Sequence, residues 1–136
     1  MSVLLTDRVS VLVVDDDAAI RALISTLLKR TNAYVDCVPD GAVALSLLEK
    51  RSYSVVILYL MMQGTNGFEV LQRVAETMPE LLKRIIVLTA VSSKTLEQLD
   101  DQKTEVWGVI RKPFDIDHLI QSVADCAAQP PSQLAM

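Results

Sequence analysis

Five short β-branched runs alternate with helical stripes along this chain, and that alternation limits the fold more than any other feature. Val9 to Val14 is a short β-branched run stopped by Asp15-Asp16-Asp17, so it reads as a buried strand. Ile20, Leu23, Ile24, Leu27 and Leu28 then recur at helical spacing, with Arg21, Lys29 and Arg30 off the stripe and Asp17 placed to cap the helix. Ala33 to Val38 is a second strand, and Asp40 opens a helix through Ala44, Leu47 and Leu48. Ser54 to Leu60 is the most strand-like run in the chain. Asn66, followed three residues later by Glu69, marks the next helix start, whose apolar face is Phe68, Leu71, Val74, Ala75 and Met78, with Pro79 at its end. Arg84 to Thr89 is a fourth strand. A weak polar helix capped by Ser92 or Ser93 follows, anchored only by Leu96 and Leu99 and expected to be mobile. Val106 to Ile110 is a fifth strand, and Asp115 or Asp117 begins a last helix with Leu119, Ile120 and Val123 inward. Such a pattern calls for an α/β domain: a parallel sheet, right-handed crossovers and helices on both faces.

The chain has 136 residues, enough for one domain with one core. Residues 1–128 are expected to form it, with 129–136, including Pro130-Pro131, as a flexible tail or the start of a linker. Apolar residues make up 51% of the chain, which rules out a disordered segment. The formal net charge of −4 argues against direct nucleic-acid binding, because phosphate recognition needs a cationic surface. Cys37 and Cys126 lack metal-ligand spacing and read as buried hydrophobes. The uncharged run from Ser52 to Phe68 falls short of the ~20 apolar residues of a membrane span, and Thr6, Asp7 and Arg8 interrupt any secretory signal. A cytoplasmic location is therefore expected.

In parallel sheets the working residues sit at the carboxyl ends of strands. Asp15 and Asp16 there form a repelling pair that a cation would relieve, and Mg²⁺ suits carboxylate and phosphate oxygens. Capping of the helix that follows is the competing reading. Thr89 can place a hydroxyl over the same edge but is also a common strand residue. Lys112 can meet either the carboxylates or a phosphoryl oxygen, or simply be solvated. His118 reads as a solvated or capping residue and Trp107 as partly buried.

Together, VLVVDDD, VVILYLMMQGTNGFEVL, VLTA and RKPF resemble the receiver domain of two-component response regulators, from about Ser10 to Ala128. The resemblance implies a doubly wound, flavodoxin-like (βα)5 sandwich with strand order 2-1-3-4-5. It also implies an aspartate at the end of the third strand that takes a phosphoryl group from a histidine kinase. Asp15 and Asp16 match the acidic pair supporting Mg²⁺, and Met61 the position whose backbone carbonyl is a metal ligand. Thr89 and Lys112 match the hydroxyl and lysine that contact the phosphoryl group, and Pro113 matches a proline whose preceding peptide bond is commonly cis.

The acceptor position, however, holds Tyr59. Gln63 stands where proline is usual, Val109 where an aromatic switch residue is common, and Ser54 where aspartate is frequent. A phenol is a poor nucleophile without a base, and it overshoots an attack point that must lie within about 3–3.5 Å. Losing a carboxylate also weakens Mg²⁺ binding. The expectation is a receiver-like module, not an enzyme, that is not phosphorylated at Tyr59, in which Lys112 neutralises Asp15 and Asp16 and the Tyr59 ring fills part of the metal pocket. It would bind a histidine kinase, an output domain or another receiver through the face of the fourth helix, fifth strand and last helix, around Leu96, Leu99, Trp107 and Leu119. Homodimerisation is compatible with this. The alternatives are a phospho-accepting receiver with Tyr59 as an engineered or rare replacement of aspartate and, more remotely, a flavodoxin-like nucleotide-binding enzyme.

Overall fold

The computed structural model describes residues 9–62, 66–90 and 105–129. In chain order these form β1 (Ser10–Val14), α1 (Ala18–Lys29), β2 (Tyr34–Val38), α2 (Gly41–Lys50), β3 (Val55–Tyr59) and α3 (Gly67–Thr77). A 3₁₀ helix (Pro79–Arg84), β4 (Ile85–Ala90), β5 (Gly108–Lys112) and α4 (Ile116–Ala127) follow. The strands make one sheet in the order β2-β1-β3-β4-β5, and every neighbouring pair is parallel. The expected flavodoxin-like topology is therefore the observed one.

Strand side chains alternate between faces, which splits the core in two. Leu12, Val14, Val56, Leu58, Ile85 and Val87 meet Ala44 and Leu48 of α2 and Val70, Leu71 and Val74 of α3. Val11, Val13, Val55, Ile57, Ile86 and Leu88 meet Ile24 and Leu28 of α1 and Leu119 and Val123 of α4. With both faces covered, the central strands read as near-continuous apolar runs rather than alternating ones.

Helix starts follow their caps. Asp17 accepts from the N–H groups of Ala19 and Ile20, Asp40 from Val43, and Asn66 from Glu69. Asp115, rather than Asp117, caps α4, accepting from Asp117 and His118. The helix α1 closes with Asn32 at φ 70°, where the N–H groups of Asn32 and Ala33 reach back to the carbonyls of Lys29 and Leu28.

Several expectations needed correction. Leu23 is 47% exposed; it faces an apolar groove shared with Ile20, Pro113, Phe114 and Ile116 instead of the core. Cys37 is exposed, because β2 is an edge strand with a neighbour on one side only. Ala75 is exposed, and Val70 takes its place on the buried face of α3. The fifth strand runs two residues later than expected, since its ladder with β4 continues to the Ala90–Lys112 pair. The weak helix expected after Ser92, with Leu96 and Leu99, lies outside the described residues, as do Gln63 and Pro130-Pro131.

Candidate functional site

The parallel sheet brings the carboxyl ends of β1, β3, β4 and β5 to one edge, and there Asp15, Tyr59 and Lys112 converge. Asp15 follows β1 directly and is completely buried. Its Oδ1 accepts the N–H of Asp17 at 3.0 Å, and its Oδ2 accepts Lys112 Nζ at 2.9 Å. Lys112 comes from β5, 97 residues further along the chain, and its side chain is largely covered. Its ammonium also lies 3.7 Å from the centroid of the Tyr59 ring, a distance at which the ring's negative face attracts a cation. Tyr59 ends β3 half-buried and packs against both halves of the core.

Just after Tyr59 the backbone makes a close approach to α3. Gly67 opens α3 with its N–H on the Leu60 carbonyl at 2.9 Å. A Cβ at Gly67 would lie 2.6 Å from Leu60 Cα and 2.7 Å from the Tyr59 carbonyl oxygen. Only glycine lets the helix start this near the residue beneath Lys112.

The other expected site residues are exposed or hydrogen-bonded elsewhere. Asp16 is exposed and makes no ion pair among the described residues, so Lys112 pairs with Asp15 alone and not with both aspartates. Thr89 is buried at the end of β4, with its hydroxyl donating to the Ala90 carbonyl at 3.0 Å instead of to the corner. Met61 exposes 52% of its surface just beyond β3. The Lys112-Pro113 peptide bond is cis. Arg21 is the residue that sequence reasoning missed: its Nη1 donates to the Asp15 carbonyl at 2.6 Å. Its helical phase had placed it off the buried stripe, and its position one turn after the Asp17 cap was the available signal.

On the expected docking face, Leu119 is completely buried and offers no surface. Val109 on β5 is 41% exposed, while Trp107 is half-buried against the core.

These donors fit a resident Mg²⁺ poorly. Near-octahedral coordination needs carboxylate oxygens free to turn to the ion. Both Asp15 oxygens are engaged, and a ring stands at position 59. Among the described residues no three His, Cys, Asp or Glu side chains converge on a point.

Comparison with known proteins agrees with this architecture. The family model for the response regulator receiver domain matches residues 11–124, and the chain belongs to that family. The transcriptional regulatory protein TcrA of Mycobacterium tuberculosis is 31% identical over 113 residues, covering 82% of this chain and 43% of TcrA. ResD of Bacillus subtilis, also a transcriptional regulatory protein, is 38% identical over 85 residues, 62% of this chain and 34% of ResD. The chain thus spans less than half the length of either regulator. A 14.6 kDa protein of Leptolyngbya boryana is 32% identical over 125 residues, 91% of this chain and 95% of that protein. The receiver domain of Francisella response regulator 1452 superposes with a TM-score of 0.78 at 28% identity, over 88% of this chain and 97% of that one. No helix among the described residues is long and apolar enough to cross a membrane.

Proposed function

We propose that this receiver domain takes no phosphoryl group at Tyr59 and works through protein contacts. One observation carries the reading: Lys112 Nζ is bound to the buried Asp15 at 2.9 Å and rests 3.7 Å above the Tyr59 ring. An aromatic ring thus stands where the family resemblance expects the acceptor carboxylate, and the lysine expected to meet a phosphoryl oxygen is held by two other groups. A phenol is a poor nucleophile without a base to take its proton. Mg²⁺ binding is weak in this reading, because one carboxylate is missing and another is engaged. The domain is then a cytoplasmic signalling module rather than an enzyme. Its partners are a histidine kinase, an output domain or another receiver, met without a phosphorylation step. Relatives that are transcriptional regulatory proteins roughly two to three times longer than the matched region fit an output domain as partner.

Asp15, Thr89 and Lys112 are all retained, so in this reading Tyr59 alone silences an otherwise competent corner. Intact mass after incubation with Mg²⁺ and a small phosphoryl donor tests the proposal. No added phosphoryl group is expected, and a stoichiometric gain would overturn it.

A further inference from the structure

We propose that the Lys112 ammonium is the resident cation of the acidic corner, so that the arrangement at the sheet's carboxyl edge is independent of divalent metal; the proposal rests on Tyr59 being silent as an acceptor. A completely buried carboxylate such as Asp15 needs a partner for each oxygen. Oδ1 has the Asp17 N–H and Oδ2 has Lys112 Nζ. Among the described residues no buried side-chain nitrogen or oxygen lacks a hydrogen-bond partner, so no orphaned donor waits for an ion.

Tyr59 makes this substitution workable. An aspartate at that position would bring a second negative charge under the ammonium and draw it away from Asp15. The ring instead supports the ammonium from below with its negative face and adds no formal charge. Asp16 is left as a single exposed carboxylate, a poorer ligand set for Mg²⁺ than a pair of converging carboxylates. A divalent ion could enter only by displacing an ammonium from a buried carboxylate. The ion pair also joins β1 to β5, elements separated by β3 and β4 in the sheet. It therefore holds the Pro113-Phe114 turn in place without any ligand.

Thermal unfolding of the parent chain and of Lys112→Ala, each in EDTA and in excess Mg²⁺, tests this. The parent Tm should stay within about 1 °C between the two conditions, since a ligand stabilises only by binding the folded state. Lys112→Ala should lose on the order of 10 °C in EDTA, because Asp15 is left buried and unpaired. Mg²⁺ should then return part of that loss. A parent Tm that rises with Mg²⁺, or a folded Lys112→Ala that ignores Mg²⁺, would overturn the proposal. If the variant does not fold, Mn²⁺ titration of the parent decides by NMR: selective broadening of the Asp15, Asp16 and Met61 amides contradicts the proposal, and its absence supports it. A parent that responds to metal yet takes no phosphoryl group sinks the resident cation and leaves the silent acceptor standing. A parent that takes a phosphoryl group removes the reading beneath both.

Discussion

Asp36 on the edge strand β2 accepts the Tyr53 hydroxyl at 2.6 Å and Arg51 at 3.0 Å. Burial, reinforced by the hydrogen bond to Asp36, pushes the Tyr53 phenol up to about 12. The Asp36 charge likewise raises the already high Arg51. Burial also pushes the Cys126 thiol up to about 11. Both Tyr53 and Cys126 hold their protons more tightly folded than unfolded. Their contribution to stability is complete below their unfolded values and is lost as pH rises through the folded ones, a window from about 9 to 12. Urea unfolding across this range should show stability falling. Tyr53→Phe should cost about 1–2 kcal/mol at neutral pH and flatten the part of the fall above pH 10. An unchanged alkaline slope in that variant would contradict the assignment. The cysteines make a second prediction at this scale. Cys37 is exposed and Cys126 buried, so a thiol reagent should label one site rapidly in the native protein and both in denaturant. The sequence pattern treated the two alike, because edge position and packing are not local properties.

Among the elements, the strands and helix caps were legible because their signals are local: β-branched runs, and Asp or Asn immediately before an apolar stripe. Asp17, Asp40 and Asn66 each accept the N–H bonds such a position implies. What depends on distant partners was not legible. The inward phase of α1 included Leu23, but that side chain lies over the Pro113-Phe114 turn, whose place was set by the far end of the chain. The 3₁₀ helix after Pro79 had no periodic pattern to reveal it. Gly67 read as part of a helix start, whereas its requirement is spatial: the approach of α3 to the Leu60 backbone. Gly67→Ala should therefore force α3 away from β3 and cost roughly 1–3 kcal/mol, measured by urea unfolding. A neutral result would mean the helix start can shift freely.

For the whole molecule, a parallel sheet turns sequence distance into proximity. Asp15 and Lys112 meet across 97 residues only because β1 and β5 end on the same edge. The strand-end rule and the receiver resemblance place Asp15, Tyr59, Thr89 and Lys112 in one neighbourhood. Neither contained the finer geometry: Lys112 choosing the buried Asp15 over the exposed Asp16, Thr89 turning its hydroxyl to Ala90, and the ammonium settling on the Tyr59 ring. The first of these choices follows from burial, which makes pairing Asp15 far more valuable than pairing a solvated Asp16. In the proposed function, position 59 decides the molecule's chemistry. The most direct test is intact mass after exposure to Mg²⁺ and a small phosphoryl donor, with the parent run beside Tyr59→Asp. An unmodified parent and a phosphorylated variant are the predicted pair, leaving Tyr59 as the residue that silences the corner. A parent that gains a phosphoryl group, on Tyr59 or on Asp15, Asp16 or Asp17 by peptide mapping, would contradict the account.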